Sequence, residues 1–213
     1  MTGYPALLLA GFGLGVSVAA PIGPIGTLVI REGLERGTVP ALLIGLGAAT
    51  VDFIYLALVY AGIAPLLVRL PVLMTLCYTG GALLLGQMAW GALRRAWSGA
   101  LPAPATGRQT RNNFLHGFGL TLLNPGTIVS WLGLGGAFAG AYLTRTSIPV
   151  AAGVLVAVFA GSAAWFLTLA GVTGGVGRLA AGRAWVFRMV NLLAGLALST
   201  YTGFFLLKAL GRA

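Results

Sequence analysis

The stretch PALLLAGFGLGVSVAAPIGPIGTLVIR, residues 5–31, is a long apolar segment that contains two closely spaced prolines in its second half. About 20 predominantly apolar residues suffice for a helix to cross a bilayer, so the length of this segment predicts a membrane span. Pro21 and Pro24 remove backbone donors and clash with the preceding turn, so we expect the helix to break there. In hydrocarbon the polar groups freed by such a break must be satisfied by protein or by a wet cavity.

Five further apolar stretches follow, at residues 39–64, 71–93, 113–139, 148–171 and 186–207. Of the 213 residues in the chain, 58% are hydrophobic and 8% are charged, whereas soluble domains are about 25% charged. A soluble fold of this size could not cover its surface with so few polar groups. The sequence therefore predicts an all-α membrane protein with six transmembrane helices.

The two halves of the chain resemble each other. The first span contains Gly-Phe-Gly-Leu at 11–14 and the fourth contains Gly-Phe-Gly-Leu at 117–120, each ahead of a proline break. An odd number of spans in each half turns the second half upside down, as in many transporters. We therefore expect two inverted three-helix repeats, with spans one and four broken in the middle of the membrane.

A polar segment rich in proline, alanine, glycine and arginine separates the two halves. It predicts a first repeat at 1–93, a cytoplasmic linker at 94–112 and a second repeat at 113–213.

The net charge of +10 does not indicate a nucleic-acid-binding protein, because the basic residues lie between apolar runs and form no patch. Nine of the thirteen fall in the first, third and fifth connections or just inside the adjoining span ends, and cytoplasmic connections are the ones enriched in Lys and Arg. This bias predicts a multi-pass protein of a bacterial inner membrane with both termini in the periplasm. The sequence leaves the oligomeric state open.

Paired breaks indicate a binding site. Each break starts a new half-helix whose first N–H groups lack partners and whose dipole is positive, which favours an anionic group such as a substrate carboxylate. At 1.5 Å per residue the breaks and Asp52 fall near the middle of a roughly 30 Å core. The candidate substrate- or ion-binding residues are Pro21, Gly23, Pro24, Asp52, Asn124, Pro125 and Gly126.

Asp52 is the acidic residue that lies deep within a predicted span, and an intramembrane carboxyl group is costly enough to be a functional candidate. We interpret it as a proton site; a structural aspartate that caps a broken helix is the alternative. Glu32 and Glu35 alternate with arginines at the edge of a span, a pattern typical of a solvated turn. His116 is interpreted as an interfacial residue.

The sequence offers few of the residues that metal binding or catalysis would need. Divalent cations require several carboxylates or thiolates, and the spans offer one aspartate and one cysteine, Cys77. No histidine–carboxylate cluster or activated nucleophile occurs in the spans, so we do not expect an enzyme. Trp131 and Tyr55 could line a pathway, although aromatic side chains in spans usually pack.

Residues 20–62 and the motif TLLNPGTIVSW at 121–131 resemble the lysine-exporter (LysE/RhtB) family. The resemblance rests on Pro21, Gly23 and Pro24, on the glycine-spaced second span with Asp52, and on the Asn124-Pro125 pair. It implies export of amino acids or related small metabolites, driven by the proton gradient and without another cofactor. Many members of the family have lysine where this chain has Gly126, so substrate identity does not carry over. A metal-ion or cation exporter of related architecture is the alternative.

Overall fold

The protein is all-helical in its computed structural model, which describes residues 3–21, 23–63, 71–99, 107–143 and 146–210. These residues form eight helices: α1 (Tyr4–Ala19), α2 (Pro24–Arg36), α3 (Thr38–Tyr60), α4 (Pro71–Ser98), α5 (Gly107–Leu122), α6 (Pro125–Leu143), α7 (Ile148–Leu179) and α8 (Ala184–Ala209). The extreme ends of the chain, Ile22, Arg69, Arg145 and the middle of the predicted linker lie outside the described residues.

Both predicted helix breaks are present. The first helix ends at Ala19 and the next begins at Pro24, and the second break separates Leu122 from Pro125. Each proline occupies the first position of its new helix, where a missing N–H costs nothing. α4 continues to Ser98 and α5 begins at Gly107, so both helices extend into the range predicted for the linker.

Four of the described helices are long and apolar enough to cross a membrane, namely α3, α6, α7 and α8. The pair α1 and α2, bent by 81° at the first break, makes a fifth candidate if it is counted as one span. The structure therefore confirms a helical protein with several membrane spans. The arrangement of six spans in inverted repeats stays a prediction.

Two long helices form the centre of the bundle. α3 and α7 contact each other, α5 packs along α3, and α1 packs along α7. α4 and α8 form a second pair, and α2 joins the two groups through its contacts with α7, α3 and α8. The largest apolar core lies where these groups meet and includes the fully buried Val29, Leu85, Leu120 and Leu198.

Glycines set the distance between the outer and central helices. A Cβ at Gly15 of α1 would overlap the carbonyl oxygen of Val158 in α7, and one at Gly117 of α5 would overlap that of Ile44 in α3. Gly161 and Gly47 face carbonyls of the opposite helix in the same way. Such close approach is the usual role of small residues between membrane helices, where dispersion contacts drive packing.

We expect Gly15→Ala to destabilise the protein by about 1–3 kcal/mol, because the added methyl group meets backbone that cannot move aside. The matched control is Gly13→Ala in the same helix, since no atom lies within 4 Å of a Cβ there. Thermal unfolding of both variants in detergent measures the difference. Equal melting temperatures would show that α1 and α7 are not in close contact.

Candidate functional site

A cavity of about 220 Å³ lies where the two breaks meet the middle of α3, and we call it the central cavity. Six of the seven residues predicted from the sequence line it: Pro21, Gly23, Pro24, Asp52, Asn124 and Gly126. Thr121, Thr127 and Ser130 add hydroxyl groups to the same wall. The seventh residue, Pro125, is buried and faces a neighbouring pocket instead.

Asp52 is 4% exposed and is held from two other helices. The indole Nε1 of Trp131 donates a hydrogen bond to its Oδ1 at 2.9 Å, and the hydroxyl of Ser162 donates to its Oδ2 at 2.5 Å. These partners lie on α6 and α7, whereas Asp52 lies on α3. A buried carboxyl group is expensive unless it is hydrogen-bonded, and here each oxygen accepts one bond.

The local structure of α6 positions Trp131. This residue begins a π-helical turn, Trp131–Gly135, and a second such turn follows at Ala139–Leu143. A Cβ at Gly135 would lie 2.7 Å from the indole Cε3, so glycine leaves the room that the ring needs. π-Helical turns often occur at functional sites, and this one carries a side chain that contacts the buried acid.

Polar groups close the second break. The hydroxyl of Tyr55 donates to the carbonyl oxygen of Leu122 at 2.6 Å, which satisfies an acceptor at the end of α5. Asn124 precedes α6, and its side-chain oxygen accepts a hydrogen bond from the N–H of Gly126 at 3.0 Å. Tyr55, which from the sequence could either line a pathway or pack, makes this polar contact.

The first break is closed differently. No side chain caps α2, whose first residue is Pro24, and the residue before it is Gly23. The hydroxyl of Thr27 donates a hydrogen bond to the carbonyl oxygen of Gly23 at 3.0 Å. Ile25 and Gly26 both line the central cavity. Their N–H groups belong to the first turn, where no intrahelical acceptor exists.

A second polar group, the ion-pair cluster, consists of Arg31, Glu32, Glu35, Arg36, Asn113 and Asn191. Glu32 accepts from Arg36 at 2.7 Å and from Asn113 at 2.9 Å. Glu35 forms an ion pair with Arg31 at 3.5 Å and accepts a hydrogen bond from the side-chain amide of Asn191. The side-chain oxygen of Asn191 in turn accepts a hydrogen bond from Arg31 at 3.0 Å.

The interpretation of Glu32 and Glu35 as a solvated turn is wrong. Their exposures are 6% and 9%, and both lie within α2. The carboxylates are buried because α5 and α8 bring amide side chains against them. The cluster therefore ties α2 to these two helices at the end opposite to the first break.

Other candidates remain outside the central cavity. His116 is half-buried and lines a small pocket beside the ion-pair cluster with Glu32 and Arg95. Cys77 is a buried free thiol. Within the described part of the chain no three His, Cys, Asp or Glu side chains gather where they could hold a metal ion, so the metal-exporter alternative gains no support.

Ser162 is the functional candidate that sequence reasoning missed. The segment Ser162-Ala163-Ala164 resembles Gly47-Ala48-Ala49 in the first half, which placed it in the repeat but gave it no polar role. Hydroxyl side chains in these helices commonly bond to their own backbone, as Thr168 does to Ala164. Nothing in the sequence distinguishes Ser162 from them.

Broken helices whose ends meet at a polar cavity with a buried carboxyl group are typical of secondary transporters. The chain belongs to the LysE type translocator family, whose model matches residues 16–209. This is a family of transporters rather than enzymes, and the chain is a multi-pass membrane protein.

Several curated relatives are similar over much of the chain. It is 38% identical over 141 residues to the chemotactic transduction protein ChpE of Pseudomonas aeruginosa, covering 64% of this chain and 65% of that protein. It is 32% identical over 168 residues to the arginine exporter protein ArgO of Yersinia enterocolitica, covering 78% and 79%. It is 29% identical over 150 residues to the putative amino acid efflux protein YcgF of Bacillus subtilis, covering 68% and 71%. No solved structure matches the chain.

We expect Ser162→Ala to lower the free energy of unfolding by about 1–3 kcal/mol, because a carboxyl group that is only 4% exposed loses one of its two donors. Ser17→Ala is the matched control: its hydroxyl is exposed and bonds only to its own helix, so the cost should stay within about 0.5 kcal/mol. Thermal unfolding in detergent compares the two. Equal effects would show that the Ser162–Asp52 contact contributes nothing to stability.

Proposed function

We propose that the protein is a proton-coupled secondary exporter of amino acids or related small metabolites in a bacterial inner membrane. Membership of the LysE type translocator family supports this, as do relatives that are named as an arginine exporter and an amino acid efflux protein. The observation that carries the proposal is that both helix breaks and one buried carboxyl group line a single cavity. Its volume, below the roughly 300–1,000 Å³ of drug-sized sites, suits a small metabolite.

The start of α2 is the better of the two sites for a substrate carboxylate. No side chain caps it, and its first-turn residues Ile25 and Gly26 face the cavity. The positive end of the helix dipole and the free N–H groups favour an anion there. At the start of α6, by contrast, the side chain of Asn124 already accepts the N–H of Gly126. Asn124 would then orient the substrate through its side-chain amide, and the start of α6 would not bind the substrate carboxylate.

Asp52 is the proposed proton site, and its two partners differ in what they allow. An indole N–H can only donate, so Trp131 holds Oδ1 as an acceptor in either protonation state. A hydroxyl can donate or accept, so Ser162 can turn its proton away and accept one from a protonated Oδ2. The site can thus gain and lose a proton without leaving either side chain unpaired.

Two inverted repeats, residues 1–93 and 113–213 joined by the linker, are proposed to rock against each other and give alternating access. Two contacts between the halves support this arrangement: α1 packs on α7 through Gly15, and α5 packs on α3 through Gly117. The ion-pair cluster joins α2, α5 and α8 at one end of the bundle. An apolar cluster that includes Leu7, Tyr60, Leu143 and Ala151 joins the start of α1, the end of α3, the end of α6 and the start of α7.

We propose that both termini are periplasmic, on the basis of the nine-to-four distribution of basic residues. A phosphatase that folds only in the periplasm, fused after Ala213, should be active. A β-galactosidase fusion at the same point, which requires the cytoplasm, should be silent. The reverse pattern would mean an odd number of crossings or the opposite orientation.

We expect Asp52→Asn to abolish proton-driven export while leaving the protein folded. The amide has the shape of the neutral acid but cannot exchange a proton, so substrate binding and passive exchange should persist. Transport in proteoliposomes with an imposed pH gradient measures coupling, and counterflow without a gradient measures exchange.

Glu35→Gln provides the matched acid-to-amide control, because Glu35 is also buried but lies outside the central cavity. This variant should still respond to the gradient even if it is less stable. A folded Asp52→Asn protein that responds to the gradient like the wild type would make Asp52 a structural residue.

A further inference from the structure

A second pocket adjoins the central cavity, and we call it the lateral pocket. It has a volume of about 600 Å³ and shares three residues with the central cavity: Pro24, Asn124 and Gly126. These three residues therefore lie between the two spaces, at the starts of α2 and α6. A molecule whose carboxylate lies at the start of α2 would reach the lateral pocket by passing them.

The walls of the lateral pocket are apolar and largely aromatic. They are formed by Tyr78 of α4, Val129 of α6, and Tyr201, Phe204 and Phe205 of α8. The rings of Tyr78 and Phe205 meet edge to face, with their centres 5.7 Å apart. Phe205 is 4% exposed and packs against α4, whereas Phe204 and Val129 are 49% and 56% exposed.

No carboxylate serves the lateral pocket. The whole chain has three acidic residues, and none of them lines it. Glu32 and Glu35 are buried in the ion-pair cluster with arginines of their own. Asp52 lines the central cavity, where Trp131 and Ser162 donate hydrogen bonds to its two oxygens. A cationic side chain in the lateral pocket would therefore have no counter-ion, at a depth where unpaired charge is costly.

We propose that the lateral pocket binds the side chain of the transported amino acid, and that the substrates are amino acids with apolar or aromatic side chains. This inference rests on the proposed function and narrows it. It separates this chain from the relative that is named as an arginine exporter, because lysine and arginine would find no carboxylate in the pocket to pair with.

Norleucine and lysine provide a matched pair of substrates, since their side chains are similar in length and differ in charge. Purified wild-type protein in proteoliposomes should exchange norleucine and phenylalanine in a counterflow assay. Lysine should compete about 100-fold less well than norleucine, in line with the cost of an intramembrane charge. Alanine should compete about tenfold less well or worse, because it leaves the pocket unfilled.

A negative charge placed in the lateral pocket should change the order in which these amino acids compete. Val129 is 56% exposed, so an aspartate there meets little steric obstruction. Val129→Asp should weaken competition by norleucine about tenfold and bring lysine to a similar level, because the carboxylate supplies the missing counter-ion. Val129→Asn introduces a side chain of the same size as aspartate but without its charge. It should weaken competition by norleucine without improving competition by lysine.

The outcomes separate the inference from the proposed function. Lysine that competes as well as norleucine in the wild type would overturn the inference while leaving amino-acid exchange established. Alanine that competes as well as norleucine would also overturn it, because the side chain would then gain nothing from the pocket. If no amino acid is exchanged, the proposed function itself fails. The wild-type series decides the question even if Val129→Asp does not insert into the membrane.

Discussion

A helix that stops inside an apolar layer leaves polar backbone groups without partners, and hydrocarbon offers none. This chain stops a helix twice, at Ala19 and at Leu122, and its packing keeps both ends away from lipid. Tyr55 donates from α3 to the carbonyl oxygen of Leu122 at one break, and residues of both breaks line the central cavity. The close glycine contacts follow from the same need, since only helices that nearly touch can wall off the breaks.

The hydrogen bonds of Asp52 connect regions that are far apart in the sequence. The acid lies in the first half of the chain, while Trp131 and Ser162 lie 79 and 110 residues away, in the second half. A change in its protonation would alter a bond between the halves and not merely a local charge. That is the kind of contact through which a proton could bias one arrangement of two rocking units over another.

The sequence was most informative where the physical cause is local. Proline acts on its own turn, so both helix breaks could be predicted to within a residue or two. The cost of an isolated carboxyl group in an apolar segment likewise singled out Asp52. The burial of Glu32 could not be foreseen, because its partner Asn113 is 81 residues distant and an Arg–Glu pattern equally fits a surface turn. The lateral pocket was also invisible, since its walls come together only when α4 and α8 pair.

The burial of all three acidic residues leaves the rest of the molecule with charge of one sign. Arg94, Arg178, Arg183 and Arg188 are exposed, and no carboxylate side chain is present on the surface to balance them. Each such residue near a membrane surface is worth about 1 kcal/mol of attraction to anionic lipid. Negatively charged headgroups beside these arginines would therefore act as the surface counter-ions that the sequence does not supply, and extraction into a neutral detergent would remove them.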